Sequence, residues 1–86
     1  MQVKVCGITN LEDALAAARH GADYLGFINH PKSPRHIELE QAGQIIKKIK
    51  KIFPSVQLVL VTVNADIETL RGATTQYGFD ILQLHG

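Results

Sequence analysis

The stretch VQLVLVTV, Val56 to Val63, constrains the fold more than any other part of the chain. It is apolar at almost every position, whereas a strand with one wet face would alternate. It therefore reads as a parallel strand covered on both sides. Shorter runs read the same way at Val3–Cys6, at Asp23–Ile28 (DYLGFI) and at Asp80–Leu84 (DILQL). Helical patterns stand between them. Thr9 or Asn10 offers an N-cap, and Glu12 follows Thr9 at capping-box distance. LEDALAAARH then places Leu11, Leu15 and Ala18 on one side, and His20-Gly21 ends the helix in a left-handed cap. NHPKSPRH is a loop, since its two prolines exclude a helix interior. Glu38 to Phe53 carries one apolar face of Leu39, Ala42, Ile45, Ile46, Ile49 and Phe53. Lys47, Lys48, Lys50 and Lys51 lie largely outside that face, as a solvated cluster near the helix C-terminus. Pro54-Ser55 breaks this helix. Asn64-Ala65-Asp66 turns into a third helix, with Ile67, Leu70, Ala73 and Tyr77 at helical spacing, and Gly78 ends it.

The order β-α-β-α-β-α-β predicts right-handed βαβ crossovers and a parallel sheet. Two α/β architectures suit it. One is the N-terminal half of a (β/α)8 TIM barrel, whose full length is typically ~250 residues. The other is an open, flavodoxin-like sheet. Residues 1–86 are expected to form a single truncated half-barrel domain. Similarity between the units is weak, so the repeat is read as structural only.

Charge and cysteine content narrow the function classes. The formal net charge is +1, which argues against an electrostatic nucleic-acid or membrane binder. No apolar run approaches the ~20 residues of a membrane span, and MQVKVCGIT lacks the form of a signal peptide. The lone cysteine, Cys6, excludes an intrachain disulfide and suits a reducing, cytoplasmic setting. No dinucleotide fingerprint, phosphate loop or zinc pattern is present. No cofactor or metal is expected.

Candidate chemistry gathers at strand ends, where α/β proteins place their ligands. Lys4 and Cys6 share a face of the first strand, about 7 Å apart at ~3.3 Å per residue. A nearby ammonium favours the thiolate, the form that acts as base or nucleophile. The plainer reading of Cys6 is a small buried packing residue. Arg35, in Ser33-Pro34-Arg35 after the second strand, has the fork to bind a carboxylate or phosphate; the plainer reading is a solvated loop arginine. Gln83 and His85 share a face of the fourth strand and need polar partners if that face is enclosed; the plainer reading is a frayed, exposed terminus. His20, His30 and His36 read as surface residues.

KVCGIT, ADYLGFI leading to PKSPRHI, VTVN and DILQLHG, in this order at successive strand ends, resemble the phosphoribosylanthranilate isomerases of tryptophan biosynthesis. The resemblance runs from Lys4 to Gly86. It implies a cofactor-free Amadori rearrangement of N-(5-phosphoribosyl)anthranilate, in which a general acid opens the ribose ring to a Schiff base. A general base then takes the C2′ proton, and the enolamine tautomerises to carboxyphenylamino-deoxyribulose phosphate. By the same resemblance Cys6 is the general base and Arg35 holds the anthranilate carboxylate. His85 lies in the substrate pocket, and Gln83 and Lys4 are expected to line it. Asn29 and Thr62 stand where the family's pattern is apolar or aromatic, and are expected to alter the pocket's shape.

The family's general acid is an aspartate on a later strand, and its phosphate is held by glycine-rich turns after the last two strands. Neither is found in these 86 residues, and Asp80 stands at the wrong end of its strand to replace the acid. The chain alone is therefore expected to be inactive. Open edges and an open inner face are expected to drive a homodimer or larger assembly. The competing reading is a non-catalytic, self-associating half-barrel module that binds a small anion near Arg35.

Overall fold

Strand and helix alternate along the chain: β1 (Lys4–Cys6), α1 (Leu11–Arg19), β2 (Tyr24–Asn29), α2 (Leu39–Ile52), β3 (Gln57–Val63), α3 (Ile67–Thr75) and β4 (Ile81–His85). The structure, a computed structural model, describes residues 2–63 and 66–85, with only the backbone of residue 85. The expected elements are all present, with ends displaced by a residue or so. Val3 precedes β1, and β4 begins after Asp80 and runs on to His85. Part of the turn expected at Asn64-Ala65-Asp66 lies outside the described residues.

The strands form one parallel sheet in the order β1-β2-β3-β4. That order excludes the flavodoxin-like alternative, in which β1 sits between β2 and β3. It is the order that successive βα units of a barrel produce. The sheet is also curled. Lys4 on β1 and Gln83 on β4 belong to opposite edges, yet Lys4 Nζ donates to Gln83 Oε1 at 2.6 Å. In a flat sheet those strands would stand about 14 Å apart at ~4.8 Å per neighbour. Side chains rising perpendicular from such a sheet would not meet.

Alternation along each strand divides the residues between two faces. Leu25, Phe27, Leu58 and Leu60 point to the helices and are fully buried. They pack with Ala14 and Ala18 of α1, Ala42, Ile46 and Ile49 of α2, and Ala73 of α3. Phe27 meets Phe79 edge-to-face at 5.8 Å, the arrangement that ring quadrupoles favour. The other face carries Lys4, Cys6, Gly26, Val59, Val61 and Gln83. This is the concave side.

The helix ends follow from local chemistry. Asn10, not Thr9, caps α1: its side chain accepts from Asp13 N–H at 2.8 Å and donates back to the Asp13 carboxylate. The expected Thr9–Glu12 capping box does not form, because the helix starts one residue later. At the far end Gly21 adopts φ +94°. Gly21 N–H donates to Ala18 O and Ala22 N–H to Ala17 O, the paired bonds of a Schellman cap. Asp66 caps α3 by accepting from Thr69 N–H at 2.8 Å. Ile67 departs from expectation: it is 68% exposed. It is the first residue of α3, and the residue of that helix buried in the core is Ala73, with Tyr77 packed against the core just beyond it.

A repeat that looked only structural has a sequence signature. Gly21-Ala22-Asp23-Tyr24-Leu25 and Gly78-Phe79-Asp80-Ile81-Leu82 enter β2 and β4 alike. Asp23 donates its N–H to Val3 O, and its carboxylate accepts from Val3 N–H, both at 2.8 Å. Asp80 does the same with Leu58, at 2.8 and 2.9 Å. Each aspartate thereby fastens the amino-terminal end of its strand to a neighbour. Lys50 Nζ adds a contact to Asp80 at 3.4 Å.

Candidate functional site

The carboxyl-terminal rim of the sheet is shaped by two glycines. Cys6 ends β1 opposite Gly26 of β2. A Cβ on Gly26 would stand 3.0 Å from Cys6 Sγ, so glycine there leaves the thiol its place. The thiol is free and the residue exposed; Cys6 is not the buried packing residue of the plainer reading. The chain then turns sharply. Gly7 adopts φ +87°, and the N–H groups of Gly7 and Ile8 both donate to Gly26 O at 3.0 Å.

Arg35 lies across this turn. A Cβ on Gly7 would come within 2.6 Å of Arg35 Cδ and 3.0 Å of Nη1. Glycine at position 7 thus answers two demands, a positive φ and the close approach of a guanidinium. The loop that carries Arg35 is fastened along its length. Ser33 N–H donates to His30 O at 2.8 Å, and Arg35 N–H to Ser33 Oγ at 3.2 Å. Ile37 N–H donates to Ile28 O at 2.9 Å, returning the loop to the sheet. Arg35 is exposed but anchored at the rim, against the turn that follows Cys6.

Some expectations about this loop need correction. Asn29 and Thr62 do not enter the pocket. They alternate with the inward residues and point to the helix side. There Asn29 Nδ2 donates to Ile37 O at 2.9 Å, and Thr62 is 2% exposed. His20 is exposed as expected, whereas His30 and His36 are half-buried. His36 Nε2 meets Glu38 Oε1 at 2.8 Å, because the β-bridge between Ile28 and His36 draws the loop inward.

Lys4 and Gln83 meet deeper on the concave face, where Gln2, Tyr24, Val59 and Ile81 line the same hollow. Gln83 is half-buried and partnered, which removes the frayed-terminus reading for that residue. His85 ends β4 opposite Val63; its side chain lies outside the described residues. The structure thus joins Lys4 to Gln83 on the concave face and, at the rim, brings Arg35 against Gly7, the residue after Cys6. Sequence reasoning missed Gly26. Its signal was a glycine inside a strand, which often marks a close approach.

Two carboxyl groups outside these candidates have defined duties. Asp80 is at the opposite end of the sheet, tied to Leu58. Asp66 is on the rim side, but the Thr69 backbone N–H, helped by the Thr69 hydroxyl, holds it below the usual carboxylate range. It is ionised at neutral pH and has no proton to give. Among the described residues no group of three or more His, Cys, Asp or Glu side chains is placed to hold a metal, and no helix is long and apolar enough to cross a membrane.

A curled parallel sheet in sequence order, with helices on its convex side and polar groups at its carboxyl rim, defines the amino-terminal half of a (β/α)8 barrel. Residues 3–86 match the family described as N-(5′-phosphoribosyl)anthranilate (PRA) isomerase, and the chain belongs to that family. The N-(5′-phosphoribosyl)anthranilate isomerase of Aquifex aeolicus is 48% identical over 86 residues, all of this chain and 41% of its own length. The phosphoribosylanthranilate isomerase of Thermotoga maritima superposes with a TM-score of 0.92 at 42% identity, covering 100% of this chain and 40% of that one. A phosphoribosylanthranilate isomerase in complex with reduced 1-(o-carboxyphenylamino)-1-deoxyribulose 5-phosphate also gives 0.92 at 42% identity, over 100% of this chain and 43% of that one. The chain spans about two fifths of the length of the relatives it matches.

Proposed function

We propose that this chain supplies the amino-terminal part of a phosphoribosylanthranilate isomerase site, with Cys6 as general base and Arg35 as the carboxylate clamp. The observation that carries this reading is Arg35 folded across Gly7, the residue that follows an exposed free thiol at the end of β1. A planar guanidinium suits the carboxylate of an anthranilate ring by paired hydrogen bonds. A substrate so held presents its ribose to the thiol. Cys6, as thiolate, takes the proton from C2′ of the open-chain Schiff base, and the electron pair moves onto the imine to give the enolamine. Ketonisation follows, with no net oxidation.

Ring opening requires an acid on the other side of the sugar. Asp66 is ionised, and Asp80 is at the far end of the sheet. The 86 residues alone therefore do not turn over. Lys4 and Gln83 line the hollow below the rim and, with His85 at the end of β4, are assigned to substrate binding. The open edges of β1 and β4 are where further strands join. A non-catalytic self-associating module shares those edges but not the activity. Co-expression with the carboxyl-terminal part of the Thermotoga maritima enzyme, followed by fluorescence-monitored consumption of phosphoribosylanthranilate, separates the two. The isomerase reading expects turnover that Cys6→Ala reduces by about 10²- to 10⁴-fold, the usual contribution of a general base. Assembly without turnover favours the module.

A further inference from the structure

We propose that Asn29 is the positioning residue for Arg35: its side-chain amide fixes the point where the loop between β2 and α2 rejoins the sheet, and so holds the guanidinium against the turn after β1. The loop leaves β2 at Asn29 and enters α2 at Leu39. Bonds within it join Ser33 to His30, His36 to Ser33, and Arg35 to the Ser33 hydroxyl. These shape the loop but do not attach it to the sheet. Attachment falls at Ile37, beside the bridge between Ile28 and His36. Ile37 N–H donates to Ile28 O at 2.9 Å, and Ile37 O accepts from Asn29 Nδ2 at 2.9 Å. Both polar groups of one backbone residue are thus bonded to the end of β2, and the Ile37 side chain is 2% exposed.

Arg35 precedes this anchor by two residues, a tether of about 7 Å at full extension. A displacement at Ile37 therefore passes to Arg35, whose Cδ lies within 2.6 Å of where a Gly7 Cβ would stand. Hydrogen bonding also places Asn29 itself. It is half-buried and borders a hollow of about 520 Å3 with Glu38, Leu39, Thr69 and Tyr77, so close packing does not fix it on that side. Its carbonyl accepts a long bond from Thr62 Oγ1 at 3.5 Å. The contacts run from β3 through the end of β2 to Ile37, and on to Arg35. A carbonyl that loses its donor away from water is costly. Removing the Asn29 amide favours loop states in which Ile37 O reaches water and Arg35 loses its seat. Asn29 points to the helix side, so it acts only through Arg35. Its effect on substrate rests on the carboxylate-clamp reading of Arg35, whereas its effect on Arg35 does not.

Asn29→Asp keeps the side-chain shape and removes the donor, and Asn29→Ala removes both. Nuclear magnetic resonance on the 86-residue chain at pH 7 reads the first step. Wild type is expected to show a protected Ile37 amide and an Overhauser contact between Arg35 Hδ and Gly7 Hα. Both variants are expected to lower the Ile37 protection factor at least tenfold and to lose the Arg35–Gly7 contact, with circular dichroism unchanged. In the enzyme completed with the carboxyl-terminal part of the Thermotoga maritima protein, they are expected to raise KM at least fivefold with kcat within twofold. A general loss of stability does not give that split. If neither variant folds, Thr62→Val decides, with the same changes expected at smaller size. An Arg35–Gly7 contact that persists in the folded variants overturns the proposal, as does a fall in kcat at unchanged KM. Loss of the contact without turnover by the completed wild type would support the role of Asn29 and overturn the isomerase reading instead.

Discussion

Cys6 and Gly26 face each other across the β1–β2 pair, and the space around the thiol depends on the missing Cβ of Gly26. Gly26→Ala is therefore expected to displace the sulfur while leaving the cysteine present. In the assembled enzyme this lowers kcat by at least tenfold, with thiol titration still finding one reactive group; unchanged kcat would show that the thiol does not need this place. Arg35→Lys keeps the charge but loses the planar fork. It is expected to raise KM more than it lowers kcat, which steady-state kinetics read directly. The rim positions of Cys6 and Arg35 were legible in the sequence, because Cys6 ends one strand, Arg35 follows another, and both strand ends could be located. The partnership of Cys6 with Gly26 was not legible, since it depends on the β1–β2 register. Asn29 and Thr62 show the same limit from the other side. Their polarity was visible, but the face they occupy follows from where each strand begins.

The elements owe their ends to few residues. Asn10→Ala removes the α1 cap and is expected to cost about 1 kcal/mol, measured by urea unfolding. Asp80→Ala leaves the Leu58 N–H without its carboxylate and is expected to cost about 1–3 kcal/mol. Asp80→Asn keeps an acceptor and is expected to cost less, so equal losses would contradict the bond's role. The cap of α3 titrates. Asp66 has a folded pKa below its ordinary 3.8, so its contribution is complete above that value and is lost as pH falls through the lowered one. Asp66→Asn caps without titrating, and its unfolding midpoint is expected to fall less than wild type between pH 5 and pH 2. Helix and strand positions were legible from periodicity. The choice of Asn10 over Thr9 was not, because both residue types cap well and one residue of helix phase decides. The exposure of Ile67 escaped for a related reason: spacing places it on the stripe, but the first turn of α3 lies ahead of the packed surface.

At the scale of the molecule, alternation of strand and helix was plain, and the choice between barrel and open sheet was not readable from the apolar runs alone. Strand order depends on pairing between distant segments. The observed order and the Lys4–Gln83 contact across the sheet give the answer in structural terms. On the proposed reading, this half-barrel, with β1 and β4 at its edges among the described residues and Cys6 at its rim, is a part that acts when completed. The most direct measurement is turnover of phosphoribosylanthranilate by the 86-residue chain, first alone and then with the carboxyl-terminal part of the Thermotoga maritima enzyme. No turnover alone, turnover on completion, and its loss in Cys6→Ala are the expected results. Turnover by the chain alone, or activity on completion that survives Cys6→Ala, would contradict the account.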